Sequence, residues 1–294
     1  MVHLGAIRAV TYCVPDLPAV ERAYVETLGY TVAGRGRIGA HLARAWGAVA
    51  ITGLRVLLLA PASGEAVFLR FIEDSRAGAC AALTTHGWNA TEFVVQDVDA
   101  LALRLEKGPF RIIGPPKGLT RFPMIRAMQA IGPAGECCYF TEVGAGSGLS
   151  LAEARAFVGR VFIVVAAGPD ADALFAPYRE FANAADPPVA TPVAVISAAH
   201  GLPLETPHRH GLVRLPRGTL IELDQYPPAA RARPCVPGRL PPGMAMVTLD
   251  VESLAGRRGI TPLAAGDLPG IDGSAACLRG AAGEIIELIA PASS

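Results

Sequence analysis

The chain reads as an α+β protein built from four copies of one βαβββ module, and three observations predict this. A strand-to-helix junction recurs four times, a turn glycine leading into an alternating strand recurs four times, and the two signals alternate along the 294 residues.

The first signal is an apolar, β-branched run that ends in an acidic residue and passes into an apolar helical stretch. It appears as AVTYCVPDLPAV (9–20), ATEFVVQDVDAL (90–101), IVVAAGPDADAL (163–174) and GMAMVTLDVESL (243–254). The shared acid is Asp16, Asp97, Asp170 and Asp250. An Asp at a helix start accepts a hydrogen bond from an unpaired backbone N–H and complements the positive end of the helix dipole, so each is expected to be an N-cap.

The second signal is SGEAVFLRFIE (63–73), AGECCYFTEV (134–143), RGTLIELDQY (217–226) and AGEIIELIA (282–290), which align Gly64, Gly135, Gly218 and Gly283. Glycine suits a turn that needs positive φ, and the period-2 pattern after it is that of a strand with one buried face. Less regular strands such as PFRIIGPP (109–116) and IRAMQAIG (125–132) lie between the signals. A Gly- and Ala-rich stretch at 146–157, with helix-like SLAEARAFV across its end, marks the expected boundary. It divides an N-terminal domain, 1–145, from a C-terminal domain, 158–294, each of two modules.

Composition narrows the function. Twenty-six basic residues balance 26 acidic ones, which removes the electrostatic footprint of a nucleic-acid binder or of a protein held on anionic lipid. The mean hydropathy of +0.37 comes from apolar residues spread along the chain, and no run approaches the roughly 20 needed to span a bilayer. The expected partner is a small molecule. The first 15 residues read as a strand and not as a signal peptide, so a cytoplasmic location is the expectation. Cys13, Cys80, Cys137, Cys138, Cys235 and Cys277 form no C-x-x-C pair and are expected to be reduced, mostly buried thiols. Neither a phosphate-binding glycine loop nor a nucleophile elbow is present.

The segment VPDLPAVERAYVETLGY (14–30) resembles the first strand end, helix and following turn of the vicinal oxygen chelate superfamily, and GEIIELI (283–289) resembles its closing strand. That superfamily contains glyoxalase I, bleomycin- and fosfomycin-resistance proteins and extradiol dioxygenases. The resemblance implies that paired modules curve into cup-shaped half-barrels, with a homodimer as the usual assembly. It also implies divalent-metal ligands on the inner faces of the first and last strands. The first-strand ligand would lie seven residues before the shared Asp, at Ala9, Ala90, Ile163 and Gly243, none of which binds a metal. The last-strand ligand would lie four residues after the turn glycine, at Phe68, Tyr139, Glu222 and Glu287. The usual metal site is therefore not expected, and no cofactor is assigned.

What remains is chemistry in the C-terminal half. His200, His208 and His210 lie just before the third hairpin, and pairing across its turn places His210 about opposite Glu222. A carboxylate beside an imidazole serves as a general acid and base. The expected catalytic set is His210, Glu222 and Glu287, an isomerase or lyase acting on an oxygen-rich or aromatic metabolite, with His208, His200, Arg70 and Tyr139 as substrate contacts. Three other readings stand beside it. The histidines and glutamates could hold iron, manganese or zinc in a relocated dioxygenase-type site. The cup could bind a small molecule without turning it over. The histidines could be solvated and Glu222 paired to Arg214, while Arg70 is paired to an internal acid such as Glu92.

Overall fold

A computed structural model describes residues 3–78, 81–119, 122–144, 149–181, 187–264, 267–268 and 273–291. Cys80 and residues 146–148 of the expected boundary lie outside these. The first module comprises β1 (Leu4–Val14), α1 (Leu17–Arg22), β2 (Thr31–Arg37), α2 (Ala40–Ala45), β3 (Arg55–Ala60) and β4 (Phe68–Glu73). The second has β5 (Gly87–Val95), α3 (Val98–Leu105), β6 (Arg111–Gly118), β7 (Ile125–Ile131) and β8 (Cys137–Val143). The third has β9 (Val158–Gly168), α4 (Ala171–Phe181), β10 (Val189–Pro192), α5 (Ala194–Ala199), β11 (Pro207–Leu215) and β12 (Thr219–Gln225). The fourth has β13 (Gly243–Val251), β14 (Thr261–Pro262), β15 (Gly273–Arg279) and β16 (Ile285–Pro291).

Three of the expected caps form. Asp16, Asp97 and Asp170 accept from the backbone N–H of Ala19, Ala100 and Ala173 at 2.9, 2.8 and 2.9 Å, each cap contributing about 1 kcal/mol. Asp250 does not cap. It sits within β13 and its carboxylate pairs with Arg8 at 2.7 Å, while the stretch after Val251 is irregular, because Gly256, Gly259 and the Arg pair between them lack a helical apolar stripe. The turn glycines hold as expected, with φ of +74°, +84°, +66° and +82° at Gly64, Gly135, Gly218 and Gly283. SLAEARAFV does not form a helix. Ala152 donates its N–H to Gly218 O at 3.2 Å, Gln96 donates to Phe157 O, and the segment runs extended into β9.

The modules form two eight-stranded sheets, but not in the expected partnership. The first has the order β14-β15-β16-β13-β1-β4-β3-β2, and the second β10-β11-β12-β9-β5-β8-β7-β6. Module 1 thus pairs with module 4 and module 2 with module 3, so 1–145 and 158–294 are not separate sheets. Chain geometry accounts for this. β8 lies parallel to β5, and Val158 at the start of β9 pairs with Val95 at the end of β5, so the short link after β8 has only to pass one strand. Modules 1 and 4 are left to join through β1 and β13.

The two sheets share one core. Tyr12 and Phe71 stack at 5.1 Å in the first sheet, Phe93 and Phe140 at 5.4 Å in the second, and Tyr24 and Tyr30 meet these rings edge-on. Leu101, Leu105, Leu174 and Phe175 of α3 and α4 complete it. Two equivalent hydrogen bonds bolt each odd module to the next. Tyr24 donates to Glu136 at 3.1 Å and Tyr178 donates to Glu284 at 3.0 Å, each Glu immediately following a turn glycine. Burial is the main cause that pushes Glu136 up to about 7, and it raises Glu284 in the same way.

Two outcomes follow from this architecture. Residues 1–145 expressed alone should give no monomer that unfolds cooperatively in urea, since each sheet then lacks half its strands; a cooperative monomer would contradict the pairing. Glu136 binds its proton more tightly in the folded chain than in the unfolded one, so its contribution to stability is present at low pH and is lost as pH rises from the ordinary carboxylate range through about 7. The loss amounts to about 3 kcal/mol at most. Urea midpoints at pH 5 and pH 8 should converge in Glu136→Gln relative to the unaltered chain.

Candidate functional site

Because the convex face of each sheet is taken up by the shared core, alternation sends the remaining side chains of the central strands into the concave face. Strand register defines the equivalent inward positions. On the last strands these are Arg70, Tyr139, Glu222 and Glu287, directly beside Thr11, Glu92, Val165 and Thr248 on the first strands. Phe68 also points inward but pairs with Ala9, two residues out of step, because the β3–β4 connection is longer than the other hairpins. The relevant first-strand position lies five residues before the Asp in the first three modules, not seven. In the fourth it is Thr248.

The first cup is filled by its own side chains. Glu287, fully buried, accepts from Trp46 Nε1 at 2.7 Å on Oε1, and on Oε2 from Thr248 at 2.6 Å and from both terminal nitrogens of Arg70 at 3.2 and 3.3 Å. The Arg70 guanidinium lies 5.0 Å from the Trp46 ring centroid. Trp46 follows α2, whose Leu42 and Ala43 pack with Ile72, Met246 and Ile285 over the cup.

The second cup has Glu222 and Tyr139 where the first has the Arg70–Glu287 ion pair. Glu222 takes the position of Arg70, and Glu92, buried on β5, takes that of Thr248; Thr141 donates to Glu92. Asp224, two residues beyond Glu222, is buried on the same face of β12. His210 on β11 lies opposite Asp224, with Nδ1 3.7 Å from Glu222 Oε1 and Nε2 2.7 Å from Thr191 Oγ1. His210 Nδ1, Asp224 Oδ1 and the Tyr226 hydroxyl are buried without a hydrogen-bond partner. Helix α5 covers this cup, with Val195 and Ile196 against Tyr139 and Tyr226.

Burial is the largest cause of the titration shifts here. It raises Glu92 to about 8, assisted by the negative charge of Glu222 and opposed by Thr141. Glu222 is raised by burial and drawn back by His210, and Asp224 is raised by burial and by Glu222. His208 is lowered by burial and by the neighbouring His200 and His210.

Solved structures match this fold over almost the whole chain. Glyoxalase I from Zea mays aligns at a TM-score of 0.60 and 14% identity, covering 97% of this chain and 92% of that one. A putative dioxygenase from Bacillus subtilis aligns at 0.65 and 13%, covering 100% and 87%. The chain has the vicinal oxygen chelate fold. No family model matches the sequence, and no curated protein matches it.

In terms of that fold, the four inward positions of the second cup are Glu92, Tyr139, Val165 and Glu222. Val165 cannot ligate a metal, so the set the resemblance implies is incomplete. Beside these positions, His210, Glu222 and Asp224 each offer one donor atom, all within 4.8 Å of one another. One imidazole and two carboxylates suit zinc, iron or manganese. Such an ion would supply Lewis acidity to a bound oxygen.

The expected site residues divide between the cups. His210, Glu222 and Tyr139 share the second, which modules 2 and 3 build, so this cup is not confined to the C-terminal half. Glu287 and Arg70 belong to the first cup and bind each other, so Arg70 is not the partner of Glu92. His208 is buried with Nε2 2.8 Å from Ser197 Oγ, and His200 Nε2 lies 3.0 Å from Leu83 O on the covering layer. His210 faces Asp224 across the strands and not Glu222, a shift of one inward step. Glu92 and Asp224 also face the second cup and are not among the site residues expected from the sequence. The alternation of ATEFVV and of LIELDQY exposes both, Asp224 as the inward residue next to Glu222. Among the described cysteines, Cys13, Cys137 and Cys138 are buried free thiols, Cys277 is partly buried and Cys235 is exposed.

The first cup generates its own prediction. Replacing Arg70 by Met strands the Glu287 charge in the core and should cost about 3–5 kcal/mol. Urea unfolding of the purified variant measures this.

Proposed function

We propose that the protein is an enzyme that transfers a proton on a small, oxygen-rich molecule held in the second cup. The observation that carries this reading is the concentration of Glu92, Glu222, Asp224 and His210 on one concave face, with polar atoms there left without partners. Burying a polar atom unpaired costs about 1–3 kcal/mol, and a bound molecule that pairs with it removes that cost. Glu92 lies at the position of the first cup's neutral Thr248 and is the proton-exchanging group. His210, Glu222 and Asp224 hold the oxygens of the substrate, while Tyr139 and Tyr226 supply an aromatic wall. Glu287 and Arg70 are given no part in this chemistry, since the charge of each is matched by the other. The sugar-like or α-hydroxycarbonyl class fits best, because such molecules present adjacent oxygens beside an acidic C–H.

The experiment is solvent deuterium exchange followed by proton NMR, using a panel of α-hydroxyketones and α-hydroxyaldehydes in D2O. Exchange at the carbon next to the carbonyl should appear with the unaltered chain and fall about 100-fold or more in Glu92→Gln. Absence of exchange across the panel, or exchange that survives Glu92→Gln unchanged, overturns the proposal. Saturable binding without exchange would instead support a non-catalytic binding protein.

A further inference from the structure

The geometry points to a divalent-cation site formed by His210 Nδ1, Glu222 and Asp224, which carries the substrate oxygens in the second cup; it rests on the reading that this cup is the functional one. Of the three donors only Glu222 stands at a position that the module repeat shares. His210 comes from β11 and Asp224 from one inward step further along β12, so this chain would hold its cation deeper toward β10 and β11 than the repeat positions alone would place it.

Four observations support it. The three side chains bring donor atoms within 4.8 Å of one another. Asp224 is 2% exposed and its Oδ1 has no hydrogen-bond partner, although a buried carboxylate oxygen ordinarily finds one. His210 Nδ1 is likewise buried and unpaired, 3.7 Å from Glu222 Oε1, which is beyond a hydrogen bond. Two donors bound about 2.1 Å from a tetrahedral ion lie roughly 3.4 Å apart, so that separation needs little adjustment to share an ion. Finally, the other ring nitrogen of His210 is held by Thr191 Oγ1 at 2.7 Å, which orients Nδ1 toward the two carboxylates, as an outer partner does for a metal-bound imidazole.

The chemistry of the set selects the ion. One nitrogen and two carboxylate oxygens favour zinc, manganese or ferrous iron over calcium or magnesium, which take oxygen donors alone. A cation in that place also neutralises carboxylates that otherwise face each other, and it leaves coordination positions open for two adjacent substrate oxygens. Thr191 is a positioning residue, acting through His210.

The test uses the full-length chain, stripped with a chelator and titrated with Co2+ alone. The expected result is a visible ligand-field absorption that saturates near about one ion per chain. His210→Gln and the isosteric Asp224→Asn should each weaken Co2+ binding at least about tenfold. His41→Gln, which disrupts the histidine–carboxylate pair with Asp267 over the first cup, should leave it unchanged. Circular dichroism confirms that each variant is folded, and Asp224→Asn alone decides the matter if His210→Gln does not fold. No saturable band in the unaltered chain, or a band indifferent to Asp224→Asn, overturns the inference. If Co2+ fails to bind while Glu92-dependent deuterium exchange persists, the cation site fails and the proton-transfer reading stands. If Co2+ binds as expected and no exchange occurs, the reverse holds.

Discussion

The arrangement of this protein depends on a single aromatic and aliphatic core that occupies the backs of both sheets at once. Tyr12, Phe71, Phe93 and Phe140 stack there, with Tyr24 and Tyr30 edge-on between them. β9 is buried along its whole length, so neither of its faces is solvated. With the backs committed mainly to apolar packing, a one-residue slip in the register of β5 or β12 would place Glu92 or Glu222 in the core. The same constraint explains why sequence neighbours lie in different sheets. Tyr24 with Glu136, and Tyr178 with Glu284, join consecutive modules across the core and not along a sheet.

Both cups use the same scaffold and reach opposite outcomes through charge. Each combines an odd module, which carries a covering helix between its second and third strands, with an even module that has none there among the described residues. At one inward position the first cup has Arg70 and the second has Glu222. Arg70 meets Glu287 and Trp46, and each Glu287 oxygen is engaged, although Arg70 Nε and Thr11 Oγ1 are buried without a hydrogen-bond partner. Glu222 meets Glu92 and Asp224, groups of its own sign, so burial and mutual repulsion favour protons or a bound partner. The proposed function places its chemistry in the cup whose acids lack an opposite charge.

The inward orientation of Arg70, Tyr139, Glu222 and Glu287 was legible in the alternation that follows each turn glycine. So were three of the helix caps, since an Asp before an apolar periodic stretch carries its own hydrogen-bond logic. Asp250 was misleading for a local reason: it shares the junction motif, but no helix follows, and Arg8 holds it in the strand. Glu92 is read from the sequence only as an internal acid for Arg70, because counting back from the Asp by seven lands on Ala90, one pleat away from the residue that faces the cup. Phe68 was aligned by a glycine whose hairpin is longer than its counterparts.

By itself the sequence determined the module, its fourfold repetition and the side of each strand that faces inward, because these follow from periods of two and 3.6 and from turn residues within a few positions of one another. Which modules join, and hence which acids meet, was decided only by the tertiary structure. Four similar modules present similar edge strands, so the sequence holds no preference between pairing 1 with 2 and pairing 1 with 4. The short passage from β8 to β9 and the shared core choose between them. That choice puts Glu287 beside Arg70 and leaves Glu222 among Glu92, Asp224 and His210.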